Sequence, residues 1–309
     1  MSQPLVSIIA LSYNHEKFIE QALASVFQQT YLAIELILVD DASTDRSAAV
    51  AQTYLQQHSE ALSVKTVFLP QNLGNCAAFN RGLAQAQGKY VVDFATDDIL
   101  FPQRIARQVA YFESLTPDYG VVFTEAEYVD EDGNHLWFHY QDRLAHIRPI
   151  PVGEVYADVV ARYFISSPTM MIRKKVLDEL EGYDEQLAYE DFDFWVRSAR
   201  KWKYAYLDEC TTRIRKHQRS MSTGWYKPND PQLYSTYVIC QKAIRLNRTN
   251  HERKALILRV MYEIKQSIRN KQWRESILFG TLLCRLILQI IKTTLILNRT
   301  PSKHKKSGS

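Results

Sequence analysis

Acidic side chains recur where a ligand-binding cleft would use them. Asp40-Asp41 closes the apolar run 35–40, and Asp97-Asp98 follows the run 90–94. Glu190-Asp191 opens a stretch of helical character, 192–200, with Asp193 close behind. His217 lies further on, in Arg215-Lys216-His217-Gln218-Arg219-Ser220. Carboxylates gathered in one cleft repel, so a cation or a donor group must hold them there. Their hard oxygens suit Mg2+ or Mn2+, ions that also bind phosphate oxygens. One acidic pair alone reads more simply as a cap for the next helix. Two pairs at equivalent strand ends favour a metal–phosphate site. Taken alone, the acids around Asp191 suit a helix N-terminus, and His217 suits a surface histidine in a basic run.

The elements that must carry these residues follow from hydrophobic spacing. Runs 5–11, 35–40, 64–69 and 90–94 are short and apolar, as buried parallel strands are. Between the first two, Ile19, Leu23, Val26 and Phe27 recur at helical spacing. Ser43 or Thr44 is expected to cap the second helix. Residues 76–87 read as the third, with Gly88 as its stop. This alternation predicts an α/β fold: a mostly parallel, Rossmann-like sheet with helices on both faces and ligands at the carboxyl ends of its strands. Beyond Pro102 the pattern is mixed. A helix is expected at 105–115, strands at 119–128, 136–140 and 169–172, and a hairpin turn at Asp132-Gly133. From about Gln232 onward the pattern is helical. The expected division is a domain at 1–231, split into a nucleotide-binding half 1–101 and an acceptor half 102–231, followed by a helical extension at 232–309.

An ordered set of short motifs adds to this reading. Val6-Ser7-Ile8-Ile9-Ala10-Leu11-Ser12-Tyr13-Asn14 is followed by Ser25-Val26-Phe27-Gln28-Gln29-Thr30, then by Glu35-Leu36-Ile37-Leu38-Val39-Asp40-Asp41-Ala42-Ser43-Thr44-Asp45. Asn72-Leu73-Gly74, Asn80-Arg81-Gly82-Leu83, Ala95-Thr96-Asp97-Asp98 and Glu190-Asp191-Phe192-Asp193-Phe194-Trp195 complete the set. Over residues 4–225, in order and near the expected spacing, this resembles the family 2 glycosyltransferases. The resemblance implies a GT-A fold, a nucleotide-diphosphate sugar donor with UDP as the carrier, a divalent metal (Mn2+ or Mg2+) and inversion at the sugar. By the same resemblance Tyr13 stacks on the base, Asp41 hydrogen-bonds it, and Leu11 and Ser12 line its pocket through the backbone. Asn14, Asn72 and Gly74 join the donor side. Asp97 contacts the ribose or the metal, Asp98 ligates the metal, and His217 lies near metal and diphosphate. Asp191 is the general base, with Glu190 next in line. The chain departs from the family pattern at Leu11, where a proline is common, and at Phe79, where an arginine often precedes the asparagine.

Charge is unevenly distributed. Residues 241–309 carry 16 Lys and Arg against 3 Asp and Glu, although the whole chain is only +4. A basic tail on an acidic body suggests a negatively charged partner. Residues 277–297 are apolar enough to raise a membrane span, but Arg285, Gln289 and Lys292 line up with Thr281 on one helical stripe. The expectation is therefore an amphipathic helix at 273–298 lying on an anionic membrane surface, helped by Arg269, Lys271, Arg274 and the lysines at 303–306. Packing on protein is the competing expectation. Four widely spaced cysteines and no signal-peptide pattern in the first 20 residues suggest a reducing, cytoplasmic setting; with the basic C-terminal helix, the expected place is the inner face of the cell membrane. A glycan or a lipid-linked acceptor is the expected second substrate. No nucleic-acid motif is visible. Residues 11–17 lack the glycine-rich phosphate loop of a sugar nucleotidyltransferase. A non-catalytic nucleotide- or carbohydrate-binding module on the same fold is the other alternative.

Overall fold

A computed structural model describes residues 3–58, 62–218, 220, 226–227 and 230–299, with side chains to Lys292. Arg219 and the lysines at 303–306 lie outside the described residues. The first half alternates as expected. Strands β1 (Val6–Ser12), β2 (Ile34–Asp40), β3 (Ser63–Phe68) and β4 (Tyr90–Ala95) are joined by helices α1 (Ile19–Phe27), α2 (Ser47–Gln57) and α3 (Asn75–Leu83). All three pairings among these strands are parallel. Both faces of β1 are buried. Ile8 and Ala10 pack with Ile19, Leu23 and Val26 of α1, while Ile9 and Leu11 pack with Ala78 and Phe79 of α3. Helices thus cover both faces of β1, which is why it reads as a short apolar run.

Two local expectations change. The N-cap of the second helix is Arg46, not Ser43 or Thr44, and the first helical amide, of Ser47, donates to Asp45 Oδ1 at 2.9 Å. Ser43 is used by Asp40 instead, donating through its amide and hydroxyl at 2.8 and 2.7 Å. Gly88 is not the stop of α3, which ends at Leu83. A Cβ on Gly88 would stand 2.6 Å from the Ser7 amide nitrogen, so glycine is required there by the close approach to β1.

The second half extends the same sheet. It adds β5 (Ile99–Leu100), α4 (Arg104–Ser114), β6 (Tyr119–Val129), β7 (His135–Phe138), α5 (Tyr156–Ala161), β8 (Met171–Arg173), α6 (Lys174–Glu179), α7 (Asp191–Ser198) and β9 (Lys203–Arg215). The strand order is β3-β2-β1-β4-β8-β6-β9-β5, with β7 on β6. β8 runs antiparallel to β4 and β6, while β6 and β9 pair in parallel, so the sheet is mixed but mostly parallel. The strand expected at 136–140 stops at Phe138. There the buried Glu125 carboxylate accepts the amides of Tyr140 and Gln141 at 2.9 and 3.1 Å and turns the chain into a single π-helical turn, His139–Arg143.

Three helices follow: α8 (Pro231–Leu246), α9 (Asn250–Arg269) and α10 (Trp273–Arg299). Asp230 caps α8, and a Thr249–Glu252 capping box starts α9. Phe279, Leu282 and Leu286 of α10 enter the same buried cluster as Ile9, Phe79 and Phe192, so the extension shares a core with the sheet. Among the described residues no helix is long and apolar enough to cross a membrane.

Gly88→Ala must push the start of β1 aside. It is expected to cost about 1–3 kcal/mol, as other overpacked buried positions do, measured by urea unfolding.

Candidate active site at the carboxyl edge of the sheet

The acids named above lie at the carboxyl ends of β2 and β4 and at the head of α7. Each has a distinct environment. Asp40 is consumed by Ser43, as a turn-capping residue would be. Asp41 accepts the amides of Leu73 and Gly74 at 2.7 and 2.9 Å, and its carbonyl accepts from the Asn72 side chain at 3.3 Å. Gly74 has φ +87°, a left-handed conformation that glycine adopts without strain. Asn14, itself at φ +58°, holds the loop after β1 to the loop after β2: its Oδ1 accepts the Thr44 amide at 2.8 Å, and its own amide donates to Ser43 Oγ at 3.0 Å. Between these loops Tyr13 is 44% exposed, whereas Leu11 and Ser12 are buried. The ring is therefore free to meet a planar ligand.

Asp97 sits between two imidazoles. His217 Nε2 is 2.9 Å and His15 Nε2 3.9 Å from Asp97 Oδ2. One ligand atom from each of these three residues falls within 4.8 Å of the others. His15 is set from behind by Thr96, whose Oγ1 lies 2.9 Å from its Nδ1, and its amide donates to Ser47 Oγ at 2.7 Å. Burial would raise the Asp97 carboxyl. The His217 hydrogen bond and the two imidazoles outweigh it and hold Asp97 below its ordinary value. Burial lowers His15, with Asp97 opposing, which favours the neutral, ligating form. A carboxylate with two imidazoles is a donor set that fits a divalent transition ion.

Asp98, the metal ligand expected from sequence, stands outside this group. Its Oδ1 accepts the Arg215 amide at 2.9 Å. Burial, then the charge of Asp97, pushes it well above the ordinary carboxylate range. Arg215 ties the corner together, reaching the Asp97 carbonyl at 3.0 Å and Gln21 at 2.7 Å.

At the head of α7, Asp191 Oδ1 is buried and has no hydrogen-bond partner. Burial raises Asp191, with Ser167 and Glu190 opposing. Glu190 is pinned by Asn75 Nδ2 at 2.5 Å and is itself raised well above its usual range by burial and by Asp191. Asp193 faces away: Arg197 and Lys242 pair with it at 2.6 and 2.7 Å, tying α7 to α8. Trp195 is core, its Nε1 donating to Met170 Sδ at 3.3 Å.

Sequence reasoning missed His15 and Asp93. Asp93 lies on β4, accepts the Tyr183 hydroxyl at 3.1 Å and is raised to about 7, first by burial and then by Asp191. An acid inside the apolar run 90–94 was the available signal. The departures from family pattern are structural here. Phe79 stacks on Tyr183 with 4.2 Å between ring centroids, and Arg81 pairs with Glu185 at 3.3 Å.

The profile of glycosyl transferase family 2 matches residues 7–181, more than half of the chain. The chain belongs to this family. A putative glycosyltransferase of Bacillus subtilis, EpsE, is 31% identical over 78% of this chain and 84% of its own. The putative teichuronic acid biosynthesis glycosyltransferase TuaG of the same organism is 29% identical over 73% and 84%. Two solved structures share the fold at 18% identity. The S. aureus TarS fragment 1–349 with UDP-GlcNAc has a TM-score of 0.66 over 86% of this chain and 73% of that one. The mannosyltransferase PcManGT of Pyrobaculum calidifontis, with GDP-Man and Mn2+, has a TM-score of 0.64 over 97% and 82%. The fold is thus the expected GT-A type, and membership sets the nucleotidyltransferase alternative aside.

The raised carboxyl on β4 gives a signed pH test. Its folded pKa of about 7 exceeds the ordinary 3.8, so ionising Asp93 costs stability as pH rises between those values. Asp93→Asn is expected to be more stable than the parent at pH 8, with the advantage fading toward pH 4, read by urea unfolding across that range.

Proposed function

We propose that the protein transfers a sugar from a nucleotide-diphosphate sugar, UDP-linked in the simplest reading, to an acceptor hydroxyl with inversion. The product would be a cell-envelope polysaccharide or glycolipid. The observation that carries this reading is the division of labour among the buried acids: Asp97 is held by two imidazoles, and Asp191 has an unpartnered carboxylate oxygen. Support for the donor class comes from the TarS and PcManGT complexes with UDP-GlcNAc and GDP-Man, and for the product from the name of TuaG.

In this reading Tyr13 stacks on the base while Asp41 keeps the 72–74 loop closed beneath it. Asp97, His15 and His217 would hold the divalent ion, which neutralises charge on the departing nucleoside diphosphate. Two imidazoles beside one carboxylate shift preference from Mg2+ toward transition ions, Mn2+ among them. Asp191 takes the acceptor proton through its free oxygen as the hydroxyl attacks the opposite face of the sugar. Its burial supplies the raised basicity that a base working near neutral pH needs. Glu190, held by Asn75, orients Asp191. One displacement inverts the centre, so no nucleophilic residue is called on. A lipid-linked acceptor would be met at the inner face of the cell membrane.

Calorimetric titration with UDP, GDP and dTDP, with and without Mn2+, tests the donor site. Binding of one nucleotide should require Mn2+ and be lost in Asp97→Ala, while Asp98→Ala should keep part of the metal response. Metal-independent binding in the parent, or full binding in Asp97→Ala, overturns the assignment. Asp191→Asn should lower kcat by about 10²–10⁴-fold with donor affinity unchanged. Near-full turnover would move the base to Glu190.

A further inference from the structure

The apolar side of α10 is divided in two. Phe279, Leu282 and Leu286 are buried against the rest of the protein. A second set, Trp273, Ile277, Leu288 and Ile291, is exposed by 50–68%. At about 100° per residue these four fall on one face, roughly opposite the buried three. Arg274, Arg285 and Lys292 are exposed along its edge. The shallow open surface beside them is bordered by Thr281, Cys284, Arg285, Leu288, Gln289 and Lys292, all on α10.

The neighbouring helix repeats the pattern. α9 joins α10 through the short turn at residues 270–272, forming a helical hairpin. Its exposed positions include Leu258, Met261, Tyr262 and Ile268, interleaved with Lys254 and Lys265. The acids of the hairpin are withdrawn: Glu263 is fully buried, Glu252 is bound to Arg200 at 2.9 Å, and Glu275 is only partly exposed. Every exposed charged side chain described on the two helices is therefore a cation.

We infer that the α9–α10 hairpin docks on an anionic lipid surface, with Trp273, Ile277, Leu288 and Ile291 entering the headgroup–acyl boundary and Arg274, Arg285 and Lys292 meeting lipid phosphates. The charge pattern decides between occupants. A face bearing cations alone repels a second copy of itself across a two-fold axis, whereas it complements an anionic bilayer. The lipid-facing stripe is thus not the one that packs the helix on the protein. This inference rests on the proposed action on a membrane-borne acceptor, yet its physical claim is separate from donor binding.

Flotation of the full-length chain with vesicles of phosphatidylcholine, with and without phosphatidylglycerol, is the test. The protein should float with the anionic vesicles, remain behind with phosphatidylcholine alone, and detach as salt rises. Ile277→Glu/Leu288→Glu should abolish flotation while leaving Mn2+-dependent nucleotide binding intact. Arg285→Gln/Lys292→Gln should weaken vesicle affinity about 30-fold, from the share expected of two cations near a charged surface. Light scattering of the parent without lipid should give a monomer. A dimer that Ile277→Glu/Leu288→Glu dissociates would assign the face to a second copy and overturn the inference. Absence of flotation by the parent, or flotation unchanged in both double variants, would also overturn it. Loss of nucleotide binding in a chain that still floats would count against the donor site alone.

Discussion

The site depends on how a low-dielectric corner tolerates many carboxylates. A parallel sheet sends the ends of β1, β2 and β4 to one edge, and this sequence ends β2 and follows β4 with acid pairs. Unpaired, such a cluster would neutralise itself by taking up protons. The fold gives most of these groups a structural partner: Ser43 for Asp40, two loop amides for Asp41, the Arg215 amide for Asp98, and Arg197 with Lys242 for Asp193. What remains is Asp97 between two histidines and Asp191 with an open oxygen. Those two have charge or lone pairs left for a ligand.

The same accounting couples the two halves of the site. Asp41 fixes the amides at Leu73 and Gly74, and the next residue, Asn75, holds Glu190 beside Asp191. Further along α3, Asn80 exchanges hydrogen bonds with the backbone of Tyr183, and Tyr183 in turn donates to Asp93. A short helix therefore spans from the expected donor loops to the acids at α7. Asn75 is thus a side chain that links the 72–74 loop to the acid pair at the head of α7.

Much of this was legible in the sequence because the signals were local. Short apolar runs announced β1, β2 and β4, and acid pairs marked the carboxyl ends of the last two. β9 was not foreseen, although it is the longest strand at 13 residues. Its alternation is broken by Asp208-Glu209, its register against β6 shifts near Glu125, and its arginines are satisfied only in three dimensions, Arg213 by Glu127 at 2.7 Å and Arg215 by burial over the Phe18 ring. The same reason hid His15. Spacing along the chain says which strand end carries an acid. Only the packing of the loop after β1 against the end of β9 decides which carboxylate two imidazoles can reach.

The C-terminal hairpin is connected to the catalytic end by buried polar contacts as well as by apolar packing. Arg259 of α9 lies 3.9 Å over the Tyr163 ring and 5.1 Å over that of Phe192, the residue after Asp191. Its partner Glu263 is fully buried and accepts the Tyr226 hydroxyl at 2.8 Å, on the segment that leads from His217 to α8. Such a buried pair is costly to desolvate and contributes little net stability over an apolar replacement, but its directional bonds fix how α9 sits. Phe192 follows Asp191, the expected base, and Tyr226 stands on the chain beyond His217. The inner face of the helix pair is therefore tied to the head of α7 through Arg259 and Phe192. A surface that held the outer face would orient the cleft with it, which is what an enzyme needs when one substrate diffuses in solution and the other is confined to a plane.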